Sequence, residues 1–177
     1  ENRIFLSIAK AMAYHQPSGC ISSRVALPPL YYSAGVRGGM TIEQIKELVT
    51  SKDYDFLRTD PHLGDRIMFL TLGGSYSYGT NVETSDIDIR GCAMNNASEI
   101  VGLSNFEQFV ETTTDTTIYA FNKLIPLLLN CNPNTIEMLG CRPEHYIYMT
   151  DAGREFINNR NMFLSKRALH SFGGYAN

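Results

Sequence analysis

The stretch from Arg66 to Gly91 limits what this chain can fold into more than any other. It opens with Arg66-Ile67-Met68-Phe69-Leu70-Thr71-Leu72, a mostly apolar run of the kind that forms a buried strand. Gly73, Gly74 and Ser75 follow at once. Ser85-Asp86-Ile87-Asp88-Ile89-Arg90-Gly91 then alternates polar and apolar, as a strand with one buried face does. Periodicity of this kind, with helical spacing elsewhere, reads as α/β.

The polar members of the stretch carry the chemistry. Gly73 and Gly74 let the backbone approach a ligand closely. Their N–H groups and the Ser75 hydroxyl can form a concavity for phosphate oxygens. Asp86 and Asp88 lie two apart on the expected strand, so both leave one face about 6.6 Å apart at the backbone, while Ile87 and Ile89 turn to the core. Two carboxylates so placed can converge on divalent cations, and hard oxygen ligands suit Mg²⁺. A pair of ions about 3.5–4 Å apart can activate an attacking oxygen and stabilise leaving pyrophosphate. Taken singly, each feature has a plainer reading. Gly-Gly-Ser after a strand is a turn, and Asp-x-Asp is a solvated or edge-protecting pair. Their order in one stretch is what points to a site. No Gly-Lys-Ser/Thr follows, so this is not a Walker A loop. The glycine spacing, with a strand expected next rather than a helix, also excludes a dinucleotide fingerprint.

Elsewhere the chain alternates helix and strand signals. Arg3 to His15 has helical spacing. Gln16 to Met40, with three prolines and four glycines, reads as irregular. Thr41 and Gln44 fit a capping box for a helix running towards Ser51. Phe106 to Thr114 reads as a third strand. Ile118 to Leu129 reads as a helix with Pro126 as a kink. Asn132 and Pro133 start a further helix that Gly140 stops. Asp151–Asn159 and Ser165–Phe172 are two more. The longest apolar stretch, Leu124 to Leu129, is interrupted by Pro126, far from the roughly 20 residues needed to span a membrane. No charged and apolar leader is visible at Glu1, though the chain lacks an initiator Met and a leader could have been trimmed away; the cysteines, read as reduced thiols, imply a cytoplasmic protein, and a continuation beyond Asn177 is expected. Fifteen basic against eighteen acidic residues give −3, which argues against a duplex-DNA binder held by phosphate contacts. Cys20, Cys92, Cys131 and Cys141 have no CxxC spacing and read as reduced thiols.

Gly74-Ser75-x-x-Tyr78-Gly79-Thr80, followed by Ser85-Asp86-Ile87-Asp88-Ile89-Arg90-Gly91, resembles the signature of the DNA polymerase β-like nucleotidyltransferases. It is most like the RNA-ligase-associated predicted branch. Asp115-x-x-x-Tyr119-x-x-x-Lys123, Asn132-Pro133-Asn134-x-x-Glu137-x-Leu139 and Phe163-Leu164-Ser165-Lys166 resemble later blocks, so the likeness runs from about Phe69 to the end. It implies an α/β (α+β) fold, with a small mixed sheet flanked by helices and centred on strands at Arg66–Leu72, Asp86–Ala93 and Phe106–Thr114. Residues 1–65 would pack on a core at 66–150, and 151–177 would begin a helical region. It implies transfer of a nucleoside monophosphate from an NTP to an acceptor hydroxyl, linked to RNA end processing or repair. A silent nucleotide- or RNA-binding module, or a toxin–antitoxin component, is the alternative. The NTP would lie on Gly73, Gly74 and Ser75, with Lys123 and Lys166 as candidate phosphate contacts, though both also read as solvated charges. Asp86 and Asp88 would hold two Mg²⁺ or Mn²⁺ ions with a third carboxylate. Asp115, which also reads as a helix N-cap, is the expected third, and Glu111 the alternative. Arg90 shares the face of the aspartates and can orient one of them. Tyr76 and Tyr78 read as base-stacking or packing residues, and Glu137 as a structural partner.

Overall fold

The computed structural model describes residues 39–173. The helix expected over Arg3–His15, nearly all of the irregular stretch, and Cys20 lie outside them. Five strands form one mixed sheet: β1 (Ile67–Leu72), β2 (Ile89–Ala93), β3 (Gln108–Glu111), β4 (Thr116–Ala120) and β5 (Tyr146–Met149). Their order is β3-β4-β2-β1-β5. β1 is antiparallel to β2 and to β5, β3 is antiparallel to β4, and β2 is parallel to β4. The described helices are α1 (Ile42–Leu48), α2 (Phe56–Thr59), α3 (Gly74–Tyr78), α4 (Ala97–Ile100), α5 (Phe121–Leu129), α6 (Pro133–Leu139), α7 (Asp151–Asn158) and α8 (Arg167–Gly173). The mixed sheet with flanking helices is the α/β architecture read from the sequence. None of these helices is long and apolar enough to cross a membrane.

Local signals hold where the chain spells them out. Thr41 and Gln44 form the expected capping box. Asn132 caps α6 with Pro133 in its first turn, and Gly140 ends it. All six residues of β1 are buried. Three expectations need correction. β2 begins only at Ile89, so Asp86 and Asp88 precede the strand. Phe106–Thr114 is not one strand, because β3 ends at Glu111 and a turn leads into β4. The helix expected from Ile118 begins at Phe121, since Thr116–Ala120 is the strand β4. Its β-branched and aromatic residues favour the pleat, and Thr116, Ile118 and Ala120 are buried while Thr117 and Tyr119 are half-buried. The strand β5 and the short helices α2, α3 and α4 add to the expected elements.

Helices cover both faces of the sheet. Tyr54, Leu57 and Leu63 pack with Ile67, Leu70, Ile89 and Ile118, and Ile45 of α1 packs with Leu72 and Tyr76. On the other face Phe69 meets Phe156 of α7 at 6.2 Å between ring centres, and Phe156 meets Phe121 and Phe163 at 5.7 and 5.5 Å. The topology sets the site. β1 ends where β2 and β4 begin, so Gly73, Asp88 and Asp115 arrive at one end of the sheet.

A separate clasp holds α4 to the sheet. Glu99 is buried and accepts hydrogen bonds from the Asn96 N–H and the Asn95 amide, both at 3.0 Å, and pairs with His62 Nδ1 at 2.9 Å. Arg66 stands 3.6 Å away, and His62 stacks on Phe106 at 4.4 Å. Burial pushes the Glu99 carboxyl up, but these hydrogen bonds outweigh it and hold the group below its usual value. Glu99→Gln should cost about 2 kcal/mol, the scale of hydrogen bonds to a charged group, or roughly 4–8 °C in a domain of this size. A group lowered on folding contributes stability above its ordinary value of 4.5 and loses it as pH falls through the lowered value. The gap between wild type and Glu99→Gln in thermal melts should therefore narrow below about pH 4. A gap constant from pH 7 to pH 3 would show that the carboxylate charge is not what holds the clasp.

Candidate active site

The glycine turn after β1 does two things. Gly73 donates its N–H to the Asp88 carbonyl at 2.9 Å, which extends the β1–β2 ladder by one pair. Gly74 then starts α3 with φ +50°, a left-handed conformation that glycine adopts freely. A Cβ at Gly74 would overlap Asp88 Oδ2. The Asp88 carboxylate thus occupies the space that the missing side chain leaves.

The third carboxylate arrives from the β3–β4 turn. Asp115 has φ +42°, which aspartate tolerates better than most residues. Its carbonyl accepts from the Ile89 N–H at 3.1 Å and from Arg90 at 2.9 Å. Its carboxylate hydrogen-bonds Asp88. Arg90 clasps both acids, reaching Asp88 Oδ1 at 2.6 Å and Asp115 Oδ1 at 3.2 Å. The helix-cap reading of Asp115 fails, because α5 starts after Ala120. Glu111 does not join the pair. It accepts from the Thr113 N–H at 3.0 Å and closes the turn. The strand alternation that puts Glu107, Glu111 and Asp115 on one face requires an unbroken strand, and the turn removes it.

Crowding of like charges shows in the protonation balance. Burial, the hydrogen bond with Asp115 and the charges of Asp115 and Asp86 push the Asp88 carboxyl up to about 6, against the opposing pull of Arg90. Asp115 is held below its usual value, chiefly by its hydrogen bond with Asp88. The pair therefore takes up its first proton at a higher pH than an isolated carboxylate does. Asp86 is exposed and reaches Asp88 through its charge.

A cavity of about 400 Å³ opens beside the pair. Gly73, Gly74, Ser77 and Tyr78 form one side, Arg90, Thr117 and Tyr119 of the sheet form the floor, and Asn134, Glu137 and Cys141 form the far wall. Ser75 is half-buried on α3 and does not line it. Lys123 is paired with Glu107 at 2.8 Å on the surface, and Lys166 is exposed. The structure brings neither lysine to the cavity. Tyr76 packs in the core, where its hydroxyl accepts from the Met40 N–H at 3.2 Å, whereas Tyr78 faces the cavity. Glu137 does more than the structural role expected of it, since it lines the cavity with Tyr78 and, after burial, helps to push the Tyr78 hydroxyl above its usual value. Thr117 and Tyr119 escape the sequence reading because the apolar spacing from Ile118 onward is helical. The alternation of their strand is the available signal.

Among the described residues, no three His, Cys, Asp or Glu side chains stand as a finished metal-binding set. The donor chemistry still fits a hard cation. Two carboxylates lie beside each other, a third acts on Asp88 through its charge, and carboxylate oxygens are what Mg²⁺ prefers.

Among curated proteins none matches this chain. A family profile described as the RNA repair pathway DNA polymerase beta family matches residues 40–177, which covers the sheet, the glycine turn and all three aspartates. With that match and this fold, the chain belongs to the RNA repair pathway DNA polymerase beta family.

Proposed function

We propose that the protein is a metal-dependent nucleotidyltransferase that moves a nucleoside monophosphate from an NTP to an acceptor hydroxyl and releases pyrophosphate. The meeting of Asp88 and Asp115 beside Gly74, at the edge of a polar-walled cavity, carries this reading. Residues 66–150 would supply the chemistry. Asp86, Asp88 and Asp115 would hold Mg²⁺ or Mn²⁺. When bound, the cation supplies positive charge to phosphate oxygens and to the leaving pyrophosphate. Arg90 keeps the two carboxylates in a fixed relation, as a guanidinium fork does better than an ammonium. Gly73 and Gly74, lacking Cβ atoms, let Asp88 and Arg90 close against the turn, and the triphosphate would lie along that turn, with Ser75 in it. The floor and the α6 wall hold the rest of the nucleotide away from water, which strengthens electrostatic contacts inside. Lys123 and Lys166 stand outside the cavity, and we assign the phosphates to the glycine turn before them.

The RNA-repair description of the family makes an RNA end the first acceptor to test. Purified protein would be incubated with each α-labelled NTP, Mg²⁺ or Mn²⁺, and RNA carrying free hydroxyl ends. Transfer of label to RNA with equal release of pyrophosphate is the expected result. Binding of NTP with no transfer to RNA, small molecules or protein would point instead to a silent nucleotide-binding module.

A further inference from the structure

The far wall of the cavity has a chemistry that phosphates cannot use. Glu137 lines it with a half-buried carboxylate, and such a group repels an anion. None of the described salt bridges involves Glu137. Its one described polar side-chain partner is the Tyr78 hydroxyl. A carboxylate has about four lone-pair sites, so Glu137 keeps capacity for two further donors. Asn134 sits three residues earlier on α6 and also lines the cavity. Residues three apart share a helix face, so this wall presents an amide beside a double acceptor. Tyr78 and Tyr119 add aromatic surface at the same cavity, suited to a flat base.

From this wall we infer that the cavity selects guanine as the base of the incoming nucleotide. Guanine carries two adjacent donors, N1–H and the N2 amine, next to the O6 acceptor. Glu137 can accept both donors in a bidentate pair, and the Asn134 amide can donate to O6. Adenine offers one amine beside the N1 acceptor, which would face the carboxylate unpaired. Uracil places its one N–H between two carbonyls, and cytosine places its amine beside an acceptor. Neither matches the wall. A good bidentate pair to a base discriminates by on the order of tenfold or more.

The inference rests on the nucleotidyltransferase reading, and one titration separates the two. Calorimetry with GTP and ATP analogues carrying a methylene between the α and β phosphorus atoms, in Mg²⁺, measures affinity without turnover. Wild type should bind the guanine analogue about tenfold more tightly than the adenine one. Glu137→Gln, which replaces one of the two acceptor oxygens with a donor amine, should abolish or reverse that ratio, because the amide can pair with both the adenine amine and its N1. Asn134→Ala, at an exposed helix position, should narrow the ratio without unfolding risk. If both analogues bind equally, or if the ratio survives in both variants, the guanine assignment is overturned while the nucleotide reading stands. If neither analogue binds wild type, the nucleotide reading falls and the assignment falls with it.

Discussion

Asp88→Asn and Asp115→Asn should each reduce nucleotide transfer by at least about 10³-fold, since several kcal/mol of charge stabilisation are lost at about 1.4 kcal/mol per tenfold. Asn is close in shape but is neutral, so it removes a negative ligand without opening a cavity. The fold should tolerate the change. In Asp88→Asn the new amide can still hydrogen-bond Asp115, and the substitution removes a charge that the Asp115 and Asp86 carboxylates repel. Arg90 keeps the carbonyl and carboxylate of Asp115. Melting temperatures of both variants should therefore stay within a few degrees of wild type. Asp86→Asn should also lower transfer, less steeply, because Asp86 is exposed and acts on Asp88 from a distance. Initial rates with a labelled NTP, paired with thermal melts, test all three. Full activity in Asp88→Asn would remove the site from consideration. An active Asp115→Asn beside an inactive Glu111→Gln would move the third ligand to Glu111, against the geometry of the turn.

The sequence spells out those features that depend on neighbours a few residues away. The β1 run, the Thr41 capping box and the Asn132-Pro133 start are all set by local spacing, and the structure keeps them. Asp86, Asp88 and Arg90 are visible because they flank apolar residues at a regular interval, although the strand itself starts after the two aspartates. The contents of the cavity are less legible. Asp115 reaches Asp88 only because the chain turns between Glu111 and Thr116 with a positive φ at Asp115, and no spacing rule predicts that from an apparently continuous β run. Glu137 faces the cavity because Pro133, Thr135, Ile136, Met138 and Leu139 are buried. A short, mostly buried helix has no clear polar face to read. Lys123 shows the converse. Its spacing from Asp115 matches a family block, yet a surface carboxylate, Glu107, is what it meets.

Gly74→Ala should lose transfer by about 10²-fold, the scale expected when a reacting group is displaced by about 1 Å. Two effects of the added methyl need separating. One is conformational: Gly74 sits at φ +50°, where a Cβ costs about 1–2 kcal/mol, or roughly 2–8 °C of melting temperature. The other is steric and local, because the methyl would overlap Asp88 Oδ2 and come within 3.1 Å of its Cγ. That carboxylate is the end of a side chain and can move, so the fold survives while the alignment of Asp88 with Asp115 does not. Gly79, at the other end of α3, isolates the first effect. It has φ +67°, and a Cβ there meets nothing within 4 Å. Gly79→Ala should therefore melt as low as Gly74→Ala and keep its activity. Equal loss of activity in the two variants would mean that strain in α3, rather than the fit of Asp88 against Gly74, sets the rate. Unchanged activity in Gly74→Ala would mean that the position of Asp88 beside this glycine does not matter to transfer.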